Sequence, residues 1–288
     1  MHDLSPQSLV EESVDIFSLP DIYFQISEMM GDPRYTAVDM GEVIAKDPGL
    51  SIRLLKIVNS SFYGFQAKVD TISRAITIIG VDDLKNLVLA TSVIDEFNEI
   101  SVELVDMTDF WMRSVRCGVI AKLLAKESSV LHCERLFLTG LLHDIGSLIM
   151  YCKVPEKSKE VLLAAGYSRP LIGVIEKQIL GFTHANVGEE LIKSWGLPES
   201  LYEAVGCYLE PEMALVHKLD AYLLNLAAQL TDIPLQGSEA AEYVLSGFTE
   251  EALSIMRLDA GLIAKVIDQA EDEFSQTFEL MMPNKRFH

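Results

Sequence analysis

Between Arg135 and Lys153 the stretch Leu136–Cys152 is almost wholly apolar, and His143 and Asp144 stand in its middle. It falls short of the roughly 20 residues that cross a bilayer, and it carries a charge at its centre. A buried helix in a soluble core fits it better than a membrane span. Helical spacing of apolar residues recurs along most of the chain. Leu50, Leu54, Leu55, Ile57 and Val58 lie mostly on one helix face. No strand pairing, no repeat of 20–50 residues and no low-complexity tract breaks the pattern. With 288 residues, 49% of them hydrophobic, the chain can bury a sizeable core as one large domain or two lobes. The expected fold class is all-α, a helical bundle in two lobes.

Start and stop signals place the elements. Asp47-Pro48 supplies an N-cap and a first-turn proline for the Leu50 helix, with Asn59 and Gly64 as its stops. Thr36 and Asp39 form a capping box opening a helix to Lys46. Ile72–Ile79 is rich in β-branched residues and reads as strand or helix, with Ser73, Ala75 and Gly80 favouring a short helix. Val81–Phe97 and Phe110–Lys126 read as long helices, and Glu99–Asp109 as an acidic connection between lobes. Leu136–Cys152 reads as one buried helix. Pro170–Leu180, His184–Trp195, Pro198–Leu209, Glu212–Leu230 and Gly261–Phe278 follow. The expected division is 1–104 for an N-terminal lobe and 105–288 for a second lobe with the C-terminal helices.

Charge narrows the function classes. The 43 acidic against 23 basic residues leave a formal charge of −20, and no run of Lys or Arg appears. Phosphate backbones and anionic membranes bind through clustered cations, so neither nucleic acid nor membrane is an expected partner. The N-terminus, Met1-His-Asp-Leu, lacks the basic-then-apolar order of a secretory signal. The four cysteines form no CxxC pair, which fits reduced thiols in a cytoplasmic protein.

Gly140-Leu-Leu-His143-Asp144-Ile-Gly146 is the strongest local signal of chemistry. Buried polar groups need partners. Imidazole and carboxylate both ligate first-row divalent ions, but an isolated His–Asp pair is more often satisfied by hydrogen bonds from neighbouring helices. Gly140 and Gly146 allow close approach of another helix or a ligand. His184 opens a helix downstream, and Asp220 lies within an apolar helix with His217 three residues earlier on the same face. Dinucleotide, P-loop, nucleophile-elbow and HExxH motifs are absent. Trp111 and Trp195 fit apolar helical patterns and read as core.

Leu19-Pro20, Asp47-Pro48-Gly-Leu50, Asn59-Ser60, Gly64, Ala75-Ile76 to Gly80, and then Phe110-Trp111, Leu141-Leu142-His143-Asp144-Ile-Gly146, His184 and Trp195-Gly-Leu-Pro198 resemble, in order and spacing, the HDOD family. These are HD-related output domains of bacterial signalling proteins, within the HD phosphohydrolase superfamily. The likeness runs from about Ser18 to about Leu230 and implies an HD-like C-terminal lobe. It implies a metal set of His143, Asp144, His184 and Asp220, vestigial or poorly occupied. The family's early histidine falls at Arg113, which has no lone pair to donate. Its later paired histidines fall at Cys207 and Tyr208. The expectation is that Arg113 turns a metal site into an ion-pair site by satisfying Asp144 or Asp220. The chain then acts in trans, without a cofactor, as a cytoplasmic signalling module docking a protein partner. The alternatives are a phosphohydrolase or phosphodiesterase with one divalent ion (Mn, Fe, Ni, Zn or Mg), and a small-anion or nucleotide sensor without hydrolysis. Oligomeric state is left open.

Overall fold

The computed structural model describes residues 4–98, 100, 102–233 and 237–282. Glu99 and Ser101 of the expected connection, the Met1-His-Asp start and the chain beyond residue 282 lie outside them. Helices account for the regular structure, and there is no strand among the described residues. Helix α1 (Pro6–Glu11) comes first, upstream of the helix expected after Leu19-Pro20. Next come α2 (Asp21–Met30), α3 (Ala37–Ile44), α4 (Pro48–Val58), α5 (Ile72–Ile79) and α6 (Val81–Asn98). Then follow α7 (Met107–Glu127), α8 (Glu134–Leu142), α9 (Ile145–Lys153), α10 (Pro155–Ala164), α11 (Arg169–Leu180), α12 (His184–Ser194) and α13 (Glu199–Cys207). The series ends with α14 (Lys218–Asp232), α15 (Gly237–Leu245), α16 (Glu250–Met256) and α17 (Ala260–Met281).

The chain divides into two compact units, one of residues 19–100 with 271–288 and the other of residues 1–18 with 101–270. The expected cut at 104 therefore misses an exchange of both termini. The N-terminal segment belongs with the later helices because α1 packs on α12 and α9, and the Trp195 indole N–H donates to the Phe17 carbonyl at 2.9 Å. The last turns of α17 belong with the early helices, where the Ser61 hydroxyl donates to Gln276 at 2.8 Å.

In the smaller unit the caps read from sequence are made. The Thr36 hydroxyl accepts from the Asp39 amide while the Asp39 carboxylate accepts from the Thr36 amide. Asp47 Oδ1 accepts from the Leu50 amide at 2.9 Å. Ile72–Ile79 is helical: Thr71 caps its start, and Gly80, at φ 90°, stops it. Asn59 does more than end α4. Its amide donates to the Leu55 and Val69 carbonyls, and its Oδ1 accepts from the Val69 amide, each bond to Val69 at 2.7 Å. One side chain thus closes the loop that precedes α5.

In the larger unit, glycines set the helix spacing. A Cβ on Gly140 would lie 2.6 Å from Gly118 Cα, so α7 and α8 meet backbone to backbone. A Cβ on Gly146 would lie 2.1 Å from the His184 carbonyl oxygen, so α9 and α12 do the same. At both glycines the close neighbour is a helix. The expected single helix Leu136–Cys152 is in fact two, α8 and α9, broken at Asp144 (φ −105°, ψ 8°). No proline marks the break. Its cause lies in tertiary contacts, because the Asp144 carboxylate is held by side chains from other elements. The expected helix Glu212–Leu230 is also broken. A short 3-10 turn, Pro211–Met213, precedes α14, and the buried Glu203 carboxylate accepts from the Leu215, Val216 and His217 amides. His217 therefore precedes α14, and does not share a helix face with Asp220.

Because Gly146 meets backbone on its open side, nothing there can swing away to admit a side chain. Gly146→Ala is expected to destabilise the protein by about 2–3 kcal/mol, read as a lower denaturation midpoint. Gly31→Ala, whose Cβ would make an ordinary 3.5 Å contact, is expected to stay near wild type. Equal midpoints for the two variants would contradict the close α9–α12 approach.

Candidate functional site

Arg113, on α7, sits at the centre of the charged cluster. Its Nε and Nη2 donate to the two carboxylate oxygens of Asp232 at 2.6 and 2.8 Å, in the bidentate fork that a guanidinium and a carboxylate favour. Its Nη1 donates to Asp144 Oδ2 at 2.7 Å and approaches His143 Nε2 at 3.3 Å. Close contact of α7 with α8 brings Arg113 to the end of α8, and the break at Asp144 turns that carboxylate toward it. Asp144 also accepts from the Ser147 hydroxyl at 2.7 Å and from Arg169 Nη1 at 3.2 Å.

The two histidines are shifted in opposite directions. His143 Nδ1 faces the Gly140 carbonyl oxygen at 2.7 Å, so Nδ1 carries the proton and the bare Nε2 faces the Arg113 guanidinium. Burial, and next the Arg113 cation, push its pKa down to about 4, so the ring is neutral. His184 Nδ1 donates to Glu176 Oε2 at 2.6 Å, and its Nε2 lies 2.6 Å from the Tyr208 hydroxyl. Burial opposes its charge, but the Glu176 and Asp144 carboxylates outweigh burial and raise its pKa. For Asp144 burial works upward, and Arg113, His184 and Arg169 hold the carboxyl well below the usual range. Burial, reinforced by Asp144, raises the Tyr208 phenol, which stays protonated. Below the raised His184 pKa, the cations Arg113, Arg169 and His184 balance the anions Asp144, Asp232 and Glu176.

Of the sequence-predicted residues, the structure gathers Arg113, His143, Asp144, His184 and Tyr208. Asp220 does not join them. It takes both bonds of Arg135 Nη2, at 2.8 and 2.7 Å. It opens α14, whose last residue is Asp232, and twelve residues of helix separate the two by about 18 Å. Asp232, not Asp220, is the second carboxylate on Arg113. Cys207 also lies apart, in a neighbouring groove with Glu189 and Glu210. Burial, and next Glu189, push its thiol up to about 11, far from a thiolate ligand at neutral pH. Arg169, Glu176 and Asp232 were not singled out from sequence. Arg169 and Glu176 sit on an ordinary-looking helix, and Asp232 follows the last apolar residue expected of α14.

The fold raises the question of a divalent ion, and the residues present do not fit one. The His143 lone pair and both carboxylates are directed at a guanidinium, which has the ion's sign of charge and no lone pair. Among the described residues, no three His, Cys, Asp or Glu side chains are grouped to hold a metal ion. Beside Arg113 opens a cavity of about 330 Å³, lined by Asp144, Arg169, His184 and Tyr208 among others.

Comparison with known proteins agrees with this architecture. The sequence matches the HDOD domain family over residues 16–211. An uncharacterized protein of Treponema pallidum (strain Nichols) is 26% identical over 203 residues, covering 69% of this chain and 38% of that protein, so the chain spans well under half the relative's length. A Shewanella amazonensis SB2B protein that carries the name of a phosphohydrolase superposes with a TM-score of 0.74 at 23% identity, covering 96% of this chain and 98% of its own. An HDOD domain protein of unknown function from Geobacter sulfurreducens gives 0.74 at 19%, with the same coverage. A Marinobacter aquaeolei VT8 protein that carries the name of a signal-transduction protein gives 0.68 at 22%, covering 94% of this chain and 61% of its own. At these identities the structures establish a shared fold. No helix among the described residues is long and apolar enough to cross a membrane.

Two outcomes test the electrostatics. Arg113→Ala leaves Asp144 and Asp232 without their main partner and is expected to cost about 3–5 kcal/mol of stability, measured by denaturant unfolding. An unchanged midpoint would contradict the geometry. The histidines give stability a pH optimum. His143, whose pKa is lowered on folding, contributes stability that is present above its unfolded value and lost as pH falls from about 6.5 to about 4. His184, raised on folding, contributes stability that is present below about 6.5 and lost as pH rises through its folded pKa. His143→Gln is expected to flatten the acid limb by one proton, about 1.4 kcal/mol per pH unit, and His184→Gln the alkaline limb. An acid limb that survives His143→Gln would refute the neutral assignment.

Proposed function

We propose, on the premise that the chain belongs to the HDOD family, that it is a signalling module in which the Arg113 side chain takes the position of a catalytic metal ion. One observation carries this reading: the guanidinium engages Asp232 with two N–H groups and Asp144 with a third, and faces the bare nitrogen of His143. An arginine cannot polarise a bound water as a Lewis acid does. With the cation supplied by a side chain, the cluster ties α7, the α8–α9 break and the end of α14 together and carries out no hydrolysis. The module then acts through what it binds, a protein partner in trans or a small ligand, within the cytoplasm. The charge of −20 argues against nucleic acid and anionic lipid as partners.

Metal content by elemental mass spectrometry on untagged protein, purified without chelator, tests the reading. Wild type is expected to hold substoichiometric metal that does not change in His143→Ala, and to show no turnover of a generic phosphoester with Mn²⁺. Arg113→His is expected to gain metal, because it places an imidazole opposite His143, Asp144 and Asp232. Near-stoichiometric Mn, Fe, Ni or Zn in wild type, lost in His143→Ala and accompanied by turnover, would replace this reading with that of a metal-dependent phosphohydrolase.

A further inference from the structure

The hydrogen-bonding capacity around the cavity beside Arg113 is unevenly used. Arg113 is engaged by Asp232, Asp144 and His143. Asp144 is engaged by Arg113, Arg169 and Ser147. Both ring nitrogens of His184 have partners. Arg169 differs. Its side chain is 32% exposed, and it makes one bond, a 3.2 Å contact from Nη1 to Asp144. Its Nε and Nη2 have no protein partner among the described residues, which leaves one edge of the guanidinium fork open in the cavity wall. Besides these charged groups, the wall is formed by the apolar Pro170, Ile172, Leu209 and Ile233, by the ring of Tyr243, and by two amides already in use, Asn225 donating to the Tyr208 carbonyl and Gln229 to Asn225 Oδ1.

We infer that this cavity binds a small organic oxyanion, with a singly charged carboxylate or phosphate head on Arg169 and a ring-sized apolar body against Tyr243 and the aliphatic wall. This rests on the metal-free reading of Arg113 and gives that site its ligand class. Four features select the chemistry. An open guanidinium edge matches a two-oxygen anion. The volume of about 330 Å³ sits near the lower end of small-molecule pockets. The Asp144 and Asp232 carboxylates in the same wall disfavour a second negative charge on the ligand. The aliphatic and aromatic lining disfavours a bare inorganic ion.

Calorimetric titration of the full chain in chelator, with benzoate, the singly charged diester methyl phenyl phosphate, benzamide and inorganic phosphate as probes, tests the inference. Benzoate or methyl phenyl phosphate is expected to saturate at least tenfold more tightly than benzamide or inorganic phosphate, and the tighter of the two identifies the head group. Arg169→Gln is expected to remove that tenfold preference. Tyr243→Ala, at a ring that is 63% exposed and so safe for folding, is expected to weaken both probes several-fold. Absence of saturation by either charged probe, or affinities unchanged in both variants, would overturn the proposal. So would binding that needs added Mn²⁺ and His143. Arg169-dependent binding in chelator to a protein that also proves metal-loaded as purified would support the pocket and sink the reading of Arg113 alone.

Discussion

A guanidinium held between two carboxylates is the interaction around which the larger unit is organised. Asp144 and Asp232 come from segments about ninety residues apart in sequence, and Arg113 from a third. Each charge alone would be costly to bury, because the loss of hydration exceeds what a single hydrogen bond returns. Together they neutralise one another in a bidentate arrangement, and the neutral His143 fills the remaining face with a nitrogen lone pair. The break between α8 and α9 follows from this demand. A continuous helix would carry the Asp144 carboxylate away from α7, whereas the turn at Asp144 presents it to Arg113, Arg169 and Ser147.

Protonation and packing depend on each other here. His143 is neutral because it is buried beside a fixed cation, and His184 gains charge because Glu176 and Asp144 flank it. Two imidazoles in one small volume thus work in opposite directions, and the difference comes from which side chain each nitrogen faces. Tyr208 connects them, its hydroxyl against His184 and its ring edge-on to His143 with centroids 5.5 Å apart.

The helices were legible where local chemistry decides them. Asp47-Pro48, the Thr36–Asp39 box and Gly80 act within one turn of the residues they control, so the chain itself carries the signal. The all-helical class was legible for the same reason, whereas Arg113 drew attention only because the family resemblance places an early histidine at that position. The errors share a different cause. The α8–α9 break, the exchange of the termini between units and the choice of Asp232 over Asp220 all depend on distant residues. Asp220 looked like the buried acid of the site because it lies in an apolar helix. Its partner, Arg135, was visible in the sequence, but nothing there tied the two together. Arg169 and Glu176 stood on a helix with ordinary surface composition, and their roles come from what α11 packs beside.

The meeting of α7 and α8 at Gly118 and Gly140 has a consequence for how this protein can vary. Most crowded pairs in a protein interior can trade volume, one side chain growing as the other shrinks. Here the obstacle is backbone on both sides: a Cβ on Gly140 would meet Gly118 Cα at 2.6 Å and a Cβ on Gly118 the Phe137 carbonyl oxygen at 2.6 Å, so no neighbouring side chain can shrink to make room. Any accommodation requires the helices to separate, and separation would draw Arg113 away from Asp144. The spacing of two backbones and the charge pairing a turn or so away along α7 are therefore inherited as a single trait. A lineage that loses one of these glycines must rebuild both.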